Sequence, residues 1–275
     1  MRIVIIGSGN MGVQLSANLL YNNCEVLMIV GDINRSKEIL SRIKHELQKR
    51  YSEQFTDEIK FEISADYKKI GKCDLVLETS KEDSDYKKEI ISKLSECELG
   101  DTVIATNTSS ISITELGQNY RNPEKFIGCH FFNPVSKMDL VEIVVGNDTS
   151  DETYHMVREF VKSIGKKPVR TTDSPGFIVN RLLLPQINES IRLLESGIAT
   201  AEDIDLAVKI GLNHPMGPLE LADFIGLDVC YAILEEMCDK TGNEQYQPAG
   251  LLSQFVSENK LGRKTGEGFY KYESR

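Results

Sequence analysis

The stretch RIVIIGSGNMG, residues 2–12, decides the fold of the first half of the chain. After Arg2, residues 3–6 form an apolar run that is typical of a buried strand, and three glycines follow in the spacing G-x-G-x-x-G. Gly7 permits a tight turn, Gly9 lets a backbone approach a pyrophosphate, and Gly12 allows a helix to pack closely on the strand. This pattern predicts a dinucleotide-binding turn between a strand and a helix.

Asn10 and Met11 complete that turn and begin the helix. Met11 continues with Leu15 and Leu19 on one helical face, as expected for a helix packed on a sheet. The N-terminus of such a helix carries unpaired N–H groups and a partial positive charge that attract a phosphate anion. Asn10 and Met11 are therefore predicted to lie beside the cofactor together with the glycines.

An acidic residue, Asp32, follows the second apolar run, EVLMIV, twenty positions after Gly12. A carboxylate there would accept both ribose hydroxyls of the adenosine and exclude a 2′-phosphate, which favours NAD. The donors in residues 34–37, Asn-Arg-Ser-Lys, leave NADP open, since they would hold a 2′-phosphate or simply begin a solvated helix.

The first 170 residues alternate apolar strand-like runs with amphipathic stretches, and 40% of the chain is apolar. Such alternation predicts an α/β fold with a mostly parallel Rossmann-type sheet. The last two runs, FIGCHFF and LVEIVV, are joined only by NPVSKMD, which is too short for a crossover helix. We therefore expect them to pair antiparallel at the edge of the sheet.

After residue 174 the strand patterns stop and helical spacing takes over. Asn180, Leu184, Ile187, Ile191 and Leu194 share one helical face, and Thr200-x-x-Asp203 has the form of a capping box. The sequence predicts a dinucleotide-binding domain at residues 1–174 and an all-α domain at residues 175–275. A helical domain of that size needs more apolar burial than it achieves alone, which indicates a homodimer formed through it.

Two polar residues interrupt the paired apolar runs, His130 at the end of FIGCH and Glu142 within LVEIVV. An antiparallel register centred on Ser136 places them directly opposite each other. Removing a glutamate from water is unfavourable unless it gains a partner, and an imidazole is one. The arrangement is typical of an oriented general base, although a purely structural hydrogen bond within the sheet has the same pattern.

Composition excludes several classes of protein. A net charge of -10 and a pI near 5.1 would repel a phosphate backbone, so nucleic acid is not an expected partner. No apolar stretch is long enough to predict a membrane span, and the N-terminus has no signal-peptide pattern, so a cytoplasmic location is expected. Six cysteines without C-x-x-C spacing predict free thiols, with neither a metal site nor a disulfide.

Over nearly its whole length the chain resembles the 3-hydroxyacyl-CoA dehydrogenase family, and most of all its short 3-hydroxybutyryl-CoA dehydrogenases. The resemblance is carried by seven motifs in order: GSGNMG, ATNTSSISIT, GCHFFNP, LVEIV, PGFIVNR, NHPMGPLELADFIGLD and GRKTGEGFY.

The resemblance implies roles for individual residues. His130 matches the catalytic base and Glu142 the carboxylate that orients it. Ser109 and Asn180 match the residues that hold the substrate oxygen. The alternatives are a helix cap for Ser109 and a core amide for Asn180, and both are the less favoured interpretation. Four further residues match contacts to the cofactor: Glu82, Lys87, Asn133 and Lys264.

The family implies hydride transfer between a nicotinamide cofactor and an acyl-CoA substrate with a 3-hydroxyl or 3-oxo group. The chain departs from the family pattern at two places that concern cofactor and substrate binding. The family's ribose-binding aspartate aligns with Val30, and Asp32 lies two residues later, on the same side if the strand continues. Residues 32–82, which in the family include a helical hairpin over the CoA, are shorter here. A CoA-free hydroxy acid substrate and a non-catalytic NADH-binding protein are the alternatives.

Overall fold

A computed structural model describes residues 1–52 and 59–273, and the chain divides into two compact units, Met1–Ser174 and Pro175–Arg275. The first unit is built on one eight-stranded sheet whose strands follow the order β3-β2-β1-β4-β5-β6-β7-β8. The strands are β1 Arg2–Ile6, β2 Glu25–Ile29, β3 Phe61–Ser64, β4 Leu75–Glu78, β5 Val103–Thr106, β6 Phe126–Phe131, β7 Leu140–Val145 and β8 Lys167–Thr172.

All neighbouring strands are parallel except β6 and β7, which pair antiparallel as predicted. The edge position predicted for that pair is wrong, because β8 lies outside β7 and forms the edge. The β8 sequence KPVRTT is largely exposed and has no apolar alternation. Pro168 cannot donate a hydrogen bond to a neighbouring strand, but it is tolerated on an edge strand. Because of this proline and the missing alternation, the sequence pattern did not predict a strand here.

Five helices belong to the first unit: α1 Asn10–Tyr21, α2 Ser36–Glu46, α3 Ser84–Ser95, α4 Ile113–Gly117 and α5 Asp151–Ser163. A single π turn, Leu47–Tyr51, continues α2, and short 3-10 turns lie at Ile33–Arg35, Tyr67–Lys69 and Pro123–Lys125. Side-chain caps start several helices. Ser150, for example, accepts the amide of Thr153 at the start of α5, which satisfies one of the unpaired amides there.

One core of the first unit lies between the sheet and the helices α1, α2 and α5. Ile3 and Ile5 of β1 pack in it with Leu15 of α1 and with Val157 and Phe160 of α5, all essentially unexposed. The predicted apolar face of α1 is thus confirmed for Leu15 and Leu19. Burial of these faces orients the carboxyl ends of β1, β4, β5 and β6, from which the site residues project.

The second unit is all-α, as predicted, with helices α6 Val179–Glu195, α7 Ala201–Gly211, α8 Pro218–Ile225, α9 Leu227–Thr241 and α10 Gly250–Ser257. A 3-10 turn lies at Glu244–Tyr246. Leu184, Ile187 and Ile191 of α6 enter the core of this unit, and Thr200 caps α7 by accepting the amide of Asp203. Across the described ranges 1–52 and 59–273, we find no helix with the length and apolarity that a membrane crossing demands.

All six cysteines are free thiols, as their spacing predicted. Cys129 and Cys230 are fully buried, and burial raises the pKa of the Cys230 thiol to about 12 because it disfavours the thiolate. These two thiols are therefore packing residues of their respective cores.

Candidate active site

The antiparallel pair β6–β7 places His130 directly opposite Glu142, the register predicted from the sequence. His130 Nδ1 lies 2.8 Å from Glu142 Oε2. The two residues are 5% and 1% exposed, so their interaction is shielded from water. Short distance and low exposure make this an imidazole held firmly by a carboxylate.

The geometry of the pair sets the protonation pattern of the imidazole. A carboxylate accepts hydrogen bonds, so Nδ1 carries the hydrogen and donates it to Glu142. In the neutral ring Nε2 is then the basic nitrogen, the one able to take up a proton. The ring of Phe132 lies with its centroid 4.5 Å from that of His130 and limits its tilt. The arrangement can act as a general acid and base.

Ser109 lies in the segment that leaves β5 at Thr106 and leads into α4. Its backbone N–H donates to Glu82 Oε1 at 2.7 Å, and the residue is partly buried. The helix cap is Ser112, whose hydroxyl accepts the amide of Glu115. The alternative that Ser109 serves as that cap is therefore wrong.

Glu82 and Lys87 occupy the turn after β4 and the first half of α3. Glu82 Oε1 also accepts from the Thr108 hydroxyl at 2.6 Å. The Lys87 side chain is 0% exposed, and its ammonium donates to Glu78 Oε2 at 2.8 Å and lies 3.7 Å from Glu82 Oε2. Both predicted residues thus lie in one network with Glu78.

Sequence reasoning missed Glu78, the last residue of β4, which is also 0% exposed. Its carboxylate accepts from the Ser80 amide and the Thr106 hydroxyl, each at 2.6 Å, as well as from Lys87. Burial alone would raise its pKa, but the charge of Lys87 and these hydrogen bonds outweigh burial, and the pKa lies below its ordinary value. The available signal was an acidic residue ending the apolar run LVLE.

The glycine turn fits a dinucleotide. Gly7 has a φ of +106°, which favours glycine, and a Cβ on Gly12 would lie 2.2 Å from the Gly7 carbonyl oxygen. A Cβ on Gly9 would meet no atom within 4 Å, so open space lies over the turn. Asn10 and Met11 are the first two residues of α1, with Asn10 exposed and Met11 partly buried.

A cleft of about 320 Å³ adjoins this turn, lined among others by Gly7, Val30, Gly31, Tyr67 and Tyr86. Its position at the carboxyl ends of β1 and β2, with aromatic and small residues in its wall, fits an adenosine. Burial raises the pKa of Tyr67 to about 12, so this side chain is neutral at physiological pH.

Asp32 lies outside β2, which ends at Ile29, so strand alternation does not extend to it as the sequence argument assumed. Its carboxylate accepts the amide of Asn34 at 2.9 Å and caps a short turn at the surface. Of the donors that left NADP open, Arg35 forms a two-point ion pair with Glu38, at 2.9 and 3.1 Å. That pairing lowers the pKa of Glu38, an exposed group.

Asn133 follows β6 and precedes Pro134 through a cis peptide bond. Its side-chain oxygen accepts from Gln14 Nε2 at 2.9 Å, and Gln14 Oε1 accepts the Val135 amide at 2.8 Å. Gln14, on α1, was not singled out from the sequence. It connects the helix of the glycine turn to the loop that follows His130.

Asn180 and Lys264 belong to the second unit. Asn180 is the second residue of α6 and is partly buried. The Lys264 ammonium pairs with the carboxylate of Asp228, in the first turn of α9. Within the part of the chain that the structure describes, no cluster of three or more His, Cys, Asp or Glu is arranged to hold a metal ion.

Comparisons with known proteins agree with this geometry. The model of the 3-hydroxyacyl-CoA dehydrogenase NAD binding domain matches residues 2–174, and that of the family's C-terminal domain matches residues 176–272. The 3-hydroxybutyryl-CoA dehydrogenase of Clostridioides difficile is 42% identical over 279 residues, 99% of each chain. A probable 3-hydroxybutyryl-CoA dehydrogenase of Deinococcus radiodurans is 40% identical over 99% of this chain and all of its own.

Among solved structures, that of (S)-3-hydroxybutyryl-CoA dehydrogenase PaaH1 from Ralstonia eutropha superposes with a TM-score of 0.92, at 37% identity over 99% of each chain. The expected resemblance, the fold class and NAD as cofactor are thereby confirmed. The chain belongs to the 3-hydroxyacyl-CoA dehydrogenase family, and its first unit is an NAD-binding domain of that family.

Proposed function

We propose that this chain interconverts a short-chain 3-hydroxyacyl-CoA and the corresponding 3-oxoacyl-CoA, with 3-hydroxybutyryl-CoA and acetoacetyl-CoA as the substrate pair. The observation that carries the proposal is the buried His130–Glu142 pair at 2.8 Å, in a chain related over its full length to enzymes of that name. The NAD cofactor, when bound, accepts or supplies the hydride at the carbon that bears the oxygen.

His130 is the proposed acid and base. In the oxidising direction Nε2 takes the proton of the 3-hydroxyl group, and in the reducing direction it returns one. Glu142 holds the ring through Nδ1 and stabilises the imidazolium that forms. Ser109 and Asn180 donate hydrogen bonds to the substrate oxygen, where negative charge develops, a task suited to neutral donors held in place beforehand.

The proposed cofactor contacts follow the same reasoning. Gly7, Gly9, Asn10, Met11 and Gly12 form the anion-binding turn at the start of α1. The family resemblance assigns four further contacts, to Glu82, Lys87, Asn133 and Lys264. Asp32 is the proposed acceptor of the ribose hydroxyls because of its place after β2. The first unit therefore serves cofactor binding, and residues 175–275 serve substrate binding and dimerisation.

A test uses purified protein with acetoacetyl-CoA and NADH, followed by loss of NADH absorbance. We expect turnover in the wild type and a fall of about 10²–10⁴-fold or more in His130→Ala, with NADH affinity retained. His155→Ala is the matched control, since His155 is exposed on α5. Full turnover in His130→Ala would refute the assignment, as would equal losses in both variants.

A second candidate substrate is a CoA-free hydroxy acid. What favours it is the segment of residues 32–82, which is shorter than the part of the family pattern that includes a helical hairpin over the CoA. Comparison of acetoacetyl-CoA with free acetoacetate at equal concentration separates the two. Faster turnover of the free acid would transfer the assignment to it, and binding of NADH without turnover of either would favour a non-catalytic role.

The proposed homodimer is supported by apolar residues that this chain leaves exposed on the second unit. Leu206 and Ile210, one turn apart on α7, are 53% and 75% exposed, and Leu182, Ile198 and Leu212 are also exposed. Apolar area of this extent favours association. Ile210→Glu should shift the molar mass measured by light scattering from dimer to monomer. The six free thiols support a reducing compartment such as the cytoplasm.

A further inference from the structure

Two glutamates hold the segment of residues 106–110, which we call the serine segment because it carries Ser109. Glu78 accepts from the Thr106 hydroxyl at 2.6 Å, where the segment leaves β5. Glu82 binds its other end through one oxygen, Oε1. That oxygen accepts from the Thr108 hydroxyl at 2.6 Å, the Ser109 amide at 2.7 Å and the Ser110 amide at 3.1 Å.

The ammonium of Lys87 lies between these two carboxylates. It donates to Glu78 Oε2 at 2.8 Å and lies 3.7 Å from Glu82 Oε2, with no exposed side-chain surface. Lys87 is on the first turn of α3, which Asp83 caps by accepting the Tyr86 amide. The position of the ammonium is therefore set by a capped helix rather than by a flexible surface chain.

Electrostatics makes this lysine necessary to the arrangement. Two carboxylates that bind one short segment repel each other, and Glu78 is fully removed from water. A single positive charge between them offsets both effects. The serine segment is then held by hydrogen bonds to charged acceptors, which are stronger than neutral ones.

We propose that Lys87 is a positioning residue: as the shared counter-ion of Glu78 and Glu82, it keeps both carboxylates on the serine segment and thereby sets the place of Ser109. The inference rests on the proposed function, in which Ser109 binds the substrate oxygen. It adds to the role that the family resemblance assigns to Lys87, a contact to the cofactor. Glu78, to which no role was assigned, becomes the buried anchor of the arrangement.

The test compares Lys87→Met with Lys162→Met, which removes an ammonium that lies 2.8 Å from Glu159 on the exposed side of α5. Three quantities are measured: hydrogen–deuterium exchange of peptides covering residues 106–110, the dissociation constant for NADH by fluorescence, and kcat and KM for acetoacetyl-CoA. In Lys87→Met we expect exchange to be about tenfold faster or more and kcat to fall about 10–100-fold, since small misplacement of a reacting group is costly. The kcat is measured at saturating NADH, so that loss of the cofactor contact assigned to Lys87 does not enter it, and Lys162→Met should resemble the wild type.

Glu82 provides a second variant that does not depend on the folding of Lys87→Met, because its side chain is 39% exposed. Glu82→Ala removes the acceptor of these hydrogen bonds and of a further one from the Ser110 hydroxyl at 3.3 Å, whereas Glu82→Gln keeps an oxygen in that place. We expect faster exchange of the serine segment in Glu82→Ala and partial rescue in Glu82→Gln.

Weakened NADH binding in Lys87→Met, with unchanged exchange and unchanged kcat at saturating NADH, would overturn the proposal and leave Lys87 a cofactor contact only. Equal exchange in Glu82→Ala, Glu82→Gln and the wild type would also overturn it. Hydrogen exchange needs no turnover. A wild-type protein inactive on acetoacetyl-CoA would therefore refute the proposed function, while the exchange comparison still decides the role of Lys87.

Discussion

Two buried pairs of a nitrogen donor and a glutamate in the first unit have the same nitrogen-to-oxygen distance and nearly the same exposure, yet they suit different tasks. His130 Nδ1 lies 2.8 Å from Glu142, and Lys87 Nζ lies 2.8 Å from Glu78. In each pair a glutamate of an apolar strand meets a nitrogen donor. An imidazole as a side-chain type exchanges its proton near neutral pH, whereas an ammonium keeps its proton. The first pair can transfer protons, and the second can only hold charges in place.

Lys162 and Glu159 form a third pair at the same distance of 2.8 Å, but 43% and 63% of their side-chain surface is exposed. Water and salt screen such a pair, while the two buried pairs are shielded. Because all three pairs have the same distance, any difference in their contribution to stability or catalysis comes from burial or from the chemistry of the donor.

The largest expected effect comes from Glu142→Gln. The amide preserves the shape of the side chain but neither fixes the imidazole in the same tautomer nor stabilises an imidazolium. We expect kcat for acetoacetyl-CoA reduction to fall about 10²–10⁴-fold. Steady-state kinetics measures this, with circular dichroism to verify folding. A variant that keeps wild-type kcat would reduce the pair to a structural hydrogen bond.

Lys87→Met should lower stability as well as kcat. Removing the ammonium leaves Glu78 buried without a counter-charge, which costs about 3–5 kcal/mol of unfolding free energy. The double variant Glu78→Gln/Lys87→Met should recover much of that loss, because the uncompensated charge is gone. Urea unfolding of the three proteins measures both values. A double variant less stable than Lys87→Met would mean that the pair is not stabilised by charge neutralisation.

The unfolding free energy lost in Lys87→Met should depend on pH, and the direction of that dependence follows from the pKa of Glu78. In the wild type the pKa of Glu78 is lowered, because Lys87 and the hydrogen bonds outweigh burial. Its contribution to stability is therefore present above the unfolded-state pKa and is lost as pH falls through the folded-state value. Without Lys87 we expect burial, the largest single influence on the pKa of Glu78, to raise it above the unfolded-state value, so that stability is lost as pH rises.

The difference in unfolding free energy between wild type and Lys87→Met should therefore be small in acid and grow toward neutral pH. Urea unfolding at about pH 4 and about pH 8 measures it. A difference that stays constant over that range would show that lost packing, rather than charge, is what the substitution removes.

The His130–Glu142 pair could be predicted from the sequence because two local signals coincide. Strand alternation determines which side chains share a face, and the short loop between β6 and β7 permits only a narrow range of registers. Helical spacing likewise predicted the buried face of α6. In these regions, contacts between residues near in sequence determine the structure.

Other features depend on contacts that no local pattern encodes. The β8 strand, with Pro168 and exposed charges, is a strand only because β7 offers it a pairing edge. The Glu78–Lys87 pair joins a strand end to a helix through a turn, and no periodicity connects positions nine apart in such a path. The end of β2 at Ile29, three residues before Asp32, is set by pairing with its neighbours rather than by composition.

The smallest expected effect is that of Lys162→Met, which tests whether burial rather than distance separates the three pairs. Lys162 is in the last turn of α5, where a positive charge also favours the helix dipole. Losing both interactions should cost less than about 1 kcal/mol, because solvent screens each of them. Urea unfolding at low salt and in about 1 M NaCl measures the loss, and high salt should nearly abolish it. A loss of several kcal/mol that resists salt would mean that a 2.8 Å contact is strongly stabilising even in water, and the contrast between exposed and buried pairs would fail.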